Sequence, residues 1–264
     1  MFRKNGSFKG KGLGELWESH RELFGHLPGK KFPLLTKILD ARFDLSVQVH
    51  PDDAYAMKYE HGEFGKTECW YVIDCKENAE LILGHHAKTK EELEKWLKEG
   101  VWEKFIRKIP IKPGHFIYVP SGTIHAICEG TVILETQQNS DVTYRVYDYD
   151  RTDDKGNKRE LHIQQSIDVT TVPHVDVPLN QHKIKKRDGE IITFVENEFF
   201  TVKKINVHGE MNIEQNKPFM LVSVIEGKGE VNGMFIQKGV HVMIPYGMES
   251  VTVKGKLEII LAHV

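Results

Sequence analysis

The stretch IKPGHFIYVPSGTIHAI, residues 111–127, decides how the whole chain is read. It aligns without a gap on IQKGVHVMIPYGMESVT, residues 236–252, so that Gly114 falls on Gly239, Pro120 on Pro245 and Gly122 on Gly247. Upstream, YVIDCKENAEL (71–81) falls on SVIEGKGEVNG (223–233). Two copies of one β unit therefore stand in tandem. In each, short apolar runs are punctuated by Gly and Pro, the residues that turn a chain between strands. The differences say more than the likeness. His125 of the first copy becomes Ser250 in the second, and Glu68 becomes Met220. One copy keeps metal-capable groups where the other is small or apolar, a contrast not expected of ordinary surface positions.

A second stretch, LSVQVHPDD (45–53), gives the first copy an inner face. Leu45, Val47 and Val49 alternate with Ser46, Gln48 and His50, and the side-chain period of a strand sends the two sets to opposite faces. A hydroxyl, an amide and an imidazole on one face predict a pocket lining, with the apolar set packed against flanking helices. Pro51 ends the strand, and the Asp pair offers a cap for the turn that follows. Gln48, His50, Glu68 and His125 then form a set of two imidazoles, a carboxylate and an amide. With a position open for water, such a set suits zinc or another divalent first-row ion. A lone histidine is most often an ordinary imidazole of core or surface. His50 and His125 stand apart because strand parity, the Pro-x-Gly turn and the altered second copy agree.

The bulk numbers bound the class. Of 264 residues, 40% are apolar and 28% charged, which is the profile of a globular chain. A net charge of -2 gives no bulk attraction to nucleic acid or an anionic membrane, so any anion must meet a local cation cluster. No apolar run approaches membrane-spanning length, and the opening MFRKNGSFKGKGLG lacks the apolar core of a secretory signal. Cys69, Cys75 and Cys128 are odd in number and lack CxxC spacing, which predicts free thiols in a reducing cytoplasm. Residues 12–25 read as a short amphipathic helix closed by Gly25, and 67–86 as two strands around a Lys-Glu-Asn turn. Residues 88–109 read as a helix inserted in the first copy only, with Leu93, Trp96 and Leu97 on one face and a break at Gly100. A further short helix falls within 157–171, a polar connection within 172–190, and strands throughout 190–264. The expected organisation is a mainly β chain with a metal-bearing catalytic unit over residues 1–175 and a metal-free copy over 176–264.

The pattern Gly114-x5-Pro120-x-Gly122-x2-His125 resembles the second signature motif of cupin barrels. Together LSVQVHPDD, GKTECWYVID (65–74), VPSGTIHAI (119–127) and LETQQNSDVTYRVYDYDR (134–151) resemble, in that order, the short bacterial type I mannose-6-phosphate isomerases. The resemblance runs from about Phe8 to the C-terminus. It implies two cupin-type jelly-roll barrels in tandem with short helical insertions. It further implies one zinc ion per chain, on residues matching Gln48, His50, Glu68 and His125. The family's essential arginine matches Arg145, and positions matching Ser46, Lys66, Glu135 and Arg151 surround the sugar-phosphate site. The implied reaction interconverts D-mannose 6-phosphate and D-fructose 6-phosphate through an enediolate. Family members usually begin with a few dozen further residues that include a strand of the catalytic barrel. The expectation is therefore an uncovered sheet edge, weak association through it, and a monomer or weak homodimer.

Residue chemistry is consistent with those roles. A sugar 6-phosphate is a dianion, and Arg145 and Arg151 lie six apart in a Tyr/Asp-rich run; arginine suits forked phosphate recognition. The competing reading pairs both arginines with Asp148 and Asp150 on an exposed strand. Lys66, two before Glu68, shares that ligand's face and could steady an enediolate oxygen, bind phosphate, or face solvent. Aldose–ketose isomerisation needs a base and an oxyanion stabiliser. Glu135 is the first choice for proton transfer, with a metal-bound water or His50 as alternatives. Two other classes fit the scaffold: a metal-dependent oxygenase, and a sugar-phosphate-binding protein without turnover.

Overall fold

Alternating apolar and polar residues with Gly/Pro punctuation yield sixteen strands among the described residues, Phe8–Val264, of the computed structural model. Helix α1 (Leu13–Ser19) and a 3-10 turn (Arg21–Phe24) precede β1 (Leu34–Ala41) and β2 (Val47–Val49). Helix α2 (Asp53–Tyr59) leads to β3 (Glu68–Cys75) and β4 (Glu80–His85). Helices α3 (Lys90–Glu99) and α4 (Trp102–Phe105) are followed by β5 (Ile106–Pro110), β6 (Phe116–Val119), β7 (His125–Ala126), β8 (Thr131–Gln138) and β9 (Tyr144–Tyr147). After α5 (Ile163–Val169) come β10 (His182–Lys186), β11 (Gly189–Glu196), β12 (Thr201–Glu214), β13 (Phe219–Val231), β14 (Met234–Gln237), β15 (His241–Pro245) and β16 (Ser250–His263). No helix among the described residues is long and apolar enough to cross a membrane, and all three cysteines are free.

The chain divides into two units, Leu35–Pro178 and a second that joins the segment before Leu35 to Leu179–Val264. In the first, one sheet has the order β1-β8-β3-β6 and the other β5-β4-β7-β2-β9. The Lys-Glu-Asn turn joins β3 to β4, yet these strands belong to different sheets. Val47 and Val49 are fully buried on the outer face of the second sheet, with Leu93 and Leu97 of α3, Phe105 and Ile167. Leu45, expected beside them, is instead exposed.

The second unit is a seven-stranded sheet, β10-β11-β12-β16-β13-β14 with β15 on β13. Sequence places the segment before Leu35 with the metal-bearing unit, whereas the structure groups residues 8–34 here. The physical reason is aromatic. Trp17 and Phe24 meet at 5.1 Å, Phe24 and Phe32 at 5.7 Å, and Phe32 meets Phe219 of β13 at 4.6 Å. The Tyr246 N–H also donates to the Leu23 carbonyl at 2.9 Å.

The repeat holds at the level of register. Glu68 pairs with Val119 and Tyr71 with Phe116; at the matching positions Met220 pairs with Ile244 and Ser223 with His241. The Gly114 N–H donates to the Val72 carbonyl, as that of Gly239 does to Val224. Both glycines have φ above +80°, a conformation that carries no steric cost only for glycine. Bulges fall between Val72 and Asp74 and between Val224 and Glu226, again equivalent. Trp70 pairs with Glu135 and its counterpart Val222 with Leu261, adding a second carboxylate-to-apolar exchange to that of Glu68 with Met220.

Boundaries moved where two periods compete. The inserted helix stops at Glu99 with Gly100 in the left-handed region, and Ile106–Pro110 is a strand rather than its continuation. The segment within 157–171 is helical only from Ile163, and the polar connection contains the exposed strand β10. The Asp pair caps a helix instead of a bare turn, with Asp52 Oδ1 accepting from the Tyr55 N–H at 2.8 Å. Phe24 is fully buried, so Phe24→Ala should destabilise the second unit by about 3–5 kcal/mol. Urea unfolding followed by circular dichroism will measure it.

Candidate active site

Strand pairing assembles one half of the site. His125 on β7 pairs with Gln48 on β2, and Gln48 pairs on its other side with Arg145 on β9. Directly opposed residues share a face, so these three side chains form one row across the sheet. His50 lies one residue past β2 on the same parity. The Pro-x-Gly turn locks it, because the Gly122 N–H donates to the His50 carbonyl at 2.8 Å. Gly122 has φ +79°, and a Cβ there would lie 2.5 Å from Thr171 Oγ1.

The other half comes from the opposite sheet. Glu68, the first residue of β3 and fully buried, places Oε1 3.3 Å from His125 Nε2 and Oε2 3.6 Å from His50 Nε2. Ligand atoms of His50, Glu68 and His125 all lie within 4.8 Å of one another. Each histidine donates Nδ1–H to a carbonyl at 2.8 Å, His50 to Val142 and His125 to Thr123. That fixes the tautomer and leaves both Nε2 lone pairs facing Glu68, the orientation used by metal-binding histidines. His50 Nε2 and Glu68 Oε1 are buried with no hydrogen-bond partner. Orphaned atoms of this kind are costly unless an ion completes them. The Gln48 amide sits 3.2 Å from His125 Nε2, and its two orientations differ only by exchange of oxygen and nitrogen. The donor set therefore fits a divalent cation held by His50, Glu68 and His125, with Gln48 able to add its oxygen.

Electrostatics point the same way. Burial, with the positive Lys66 and the neighbouring His125, holds His50 well below the ordinary imidazole value. Burial pushes His125 down to about 4, against the opposing pull of the Thr123 carbonyl. Both rings are neutral at pH 7 and able to donate.

Lys66 and Glu135, two further residues expected from sequence, lie close enough to this centre to act on its imidazoles electrostatically. Lys66 is 6% exposed with Nζ 2.9 Å from Glu68 Oε2, so the solvent-facing reading does not hold. Glu135 is buried, and its carboxyl is pushed upward by desolvation and then by Glu68, against Lys66 and Lys37. Ser46 is buried. Arg145 donates Nη1 to the Glu160 carbonyl at 2.9 Å and keeps Nε buried without a partner. Arg151 differs: its three nitrogens go to the Asp44 carbonyl, the Asp148 carbonyl and the Asp148 carboxylate. The ion pair weighed at the outset is thus real for Arg151 and absent for Arg145. Arg159 also binds Asp148, and the two arginines hold that carboxyl low although burial alone would raise it.

Two site residues were not seen in the sequence. Lys37 on β1 places Nζ 3.4 Å from Glu135 Oε2 and donates to Gln137 Oε1 at 2.9 Å. Trp70 stands edge-on to His125 at 5.5 Å. The available signal for Trp70 was parity with Glu68; Lys37 stood inside LLTKILDA, where an interior cation breaks an apolar run.

Two histidines and a carboxylate, placed between two β sheets so that they could hold a metal ion, are what a cupin-type metalloprotein presents. Comparison narrows this. Residues 2–72 match the family described as phosphomannose isomerase type I, catalytic domain, and residues 190–264 match mannose-6-phosphate isomerase, cupin domain. The chain is 52% identical to mannose-6-phosphate isomerase ManA of Bacillus subtilis, over 98% of its own length and 84% of the relative's. It is likewise 52% identical to the mannose-6-phosphate isomerase of Streptococcus mutans, over 98% and 83%. The crystal structure of the mannose 6-phosphate isomerase from Bacillus subtilis superposes with a TM-score of 0.96 at 50% identity, covering 100% of this chain and 85% of that one. The chain belongs to the type I mannose-6-phosphate isomerase family.

Two outcomes follow from the geometry. Chelated protein should take up one divalent ion per chain, and His125→Ala should abolish uptake; elemental analysis after gel filtration measures both. The unfolded chain protonates its imidazoles near pH 6.5, whereas folded His125 does so only near 4. The unfolded state therefore binds protons first on acidification. Stability present above pH 6.5 falls between pH 6.5 and 4, by ~3 kcal/mol from His125 alone in metal-free protein. Urea midpoints across that range will read it.

Proposed function

We propose that this chain is a zinc-dependent isomerase that interconverts D-mannose 6-phosphate and D-fructose 6-phosphate through a cis-enediolate, working as a monomer or weak homodimer. A reducing cytoplasm suits its three free thiols. The reading rests on one observation: a buried His50–Glu68–His125 group with orphaned donor atoms has Lys66 Nζ 2.9 Å from Glu68 Oε2, and Glu135 lies on the strand paired with that of Glu68. Family membership supplies the substrate class.

Isomerisation carries one proton between adjacent carbons and another between their oxygens. Glu135 is the base: an upward-shifted carboxyl can take a proton from one carbon and return it to the next without being trapped in either state. Lys37, against Glu135 and Gln137, keeps that carboxyl oriented. Lys66 brings a buried ammonium to the oxygens where negative charge develops, in a region of low dielectric where it counts most. His50, Glu68 and His125, with Gln48 as a fourth donor, would hold the zinc ion, which when bound would supply Lewis-acid polarisation of the carbonyl/hydroxyl pair. Arg145, in the same row as Gln48 and His125, is the cation that fixes the substrate. Ser46 and Arg151 complete the phosphate end; Arg151 acts chiefly by charge, since Asp44 and Asp148 occupy its fork.

A coupled assay on zinc-replete protein tests this. Turnover should vanish with chelator and return with zinc. Glu135→Gln should lower kcat by about 100-fold or more with KM little changed. Sugar-phosphate binding without turnover would instead identify a non-catalytic binding protein, and retained turnover in Glu135→Gln would remove Glu135 as the base.

A further inference from the structure

Three successive backbone N–H groups before β3 are each held by a partner from outside the segment. Gly65 N–H donates to Asp53 Oδ1 at 2.7 Å, Lys66 N–H to the Pro51 carbonyl at 3.0 Å, and Thr67 N–H to Gln138 Oε1 at 2.9 Å. Gln138 closes the circuit. Its Nε2 donates to Asp53 Oδ1 at 3.1 Å, and its backbone N–H donates to the Thr67 carbonyl at 3.1 Å. Gly65 packs so tightly that a Cβ would lie 2.3 Å from the backbone carbon of Asp52. The peptide on either side of Lys66 cannot slide.

We propose that Asp53 and Gln138 are positioning residues for the reaction, acting on it through Lys66. The inference rests on the role given to Lys66 above and extends it to two side chains not assigned to the site. Lysine carries its ammonium on a flexible four-carbon stem, so a fixed charge needs a fixed backbone. The brace also joins the segment that follows His50 to the segment that precedes Glu68. Two ligand-bearing segments from different sheets are thereby tied at one point, with Lys66 inside the tie. Asp53 Oδ1 serves both Gly65 and Gln138, and an amide oxygen can take over both contacts.

The test uses the zinc-saturated full chain with Asp53→Ala, Asp53→Asn, Gln138→Ala, Lys66→Met and the Asp53→Ala/Lys66→Met double variant. Asp53→Ala and Gln138→Ala should lower kcat by about 10- to 100-fold with KM within about threefold and zinc content unchanged. Asp53→Asn should restore kcat to within about threefold of the parent. In the Lys66→Met background, Asp53→Ala should cost less than about twofold more, because its effect passes through a side chain already removed. Amide exchange at residues 65–67 should quicken in Asp53→Ala. An equal loss in both backgrounds would overturn the proposal and leave Asp53 as a purely structural tie. Unchanged exchange would overturn it as well. Exchange is read without turnover, so an inactive parent chain would count against the isomerase reading while the brace is still judged.

Discussion

A carboxylate with no solvent exposure, set between two neutral imidazoles, is the constraint on which the first unit depends. Burying Glu68 forfeits hydration that a single Lys66 does not fully replace, and a buried charge is tolerated only when it is paired or bound to a cation. The surrounding structure serves that requirement. Two carbonyls, of Val142 and Thr123, turn the imidazoles so that their lone pairs face inward. Two sheets are needed because a row of side chains on one sheet cannot surround an ion. The helices cover the outer face, where fully buried Val47 and Val49 offset some of the cost of the polar interior.

Sequence made the metal half of the site legible because its rules are local. Strand parity placed Gln48 and His50 together, the Pro-x-Gly turn placed His125, and comparison of the two copies marked Glu68. Residues whose role depends on long-range register were harder. Lys37 is about a hundred positions from Glu135, and only the pairing of β1 with β8 brings them near. Arg151 shows a different difficulty. A pattern suited to phosphate is equally a pattern for pairing with Asp148, and composition cannot choose between them.

The fold class followed from punctuation and repeat, while the division of the chain did not. Residues before Leu35 carry a helical pattern that suits either unit, and an aromatic cluster around Phe219 decides between them. Helix boundaries drifted for a related reason: in EKFIRKI, apolar spacing satisfies both periods, and pairing of β5 with β4 selects the strand.

The register match between the copies makes the chain its own reference. Met220 and Leu261 occupy the places of Glu68 and Glu135 in strands that pair, bulge and turn alike. The scaffold thus closes around an oily interior without any ion, and the glycine and proline positions shared by both copies belong to architecture. What differs between the copies belongs to chemistry. The buried charges are a load the fold carries rather than a source of its strength, so drift in the first copy that traded activity for robustness would lead toward the interior the second already has.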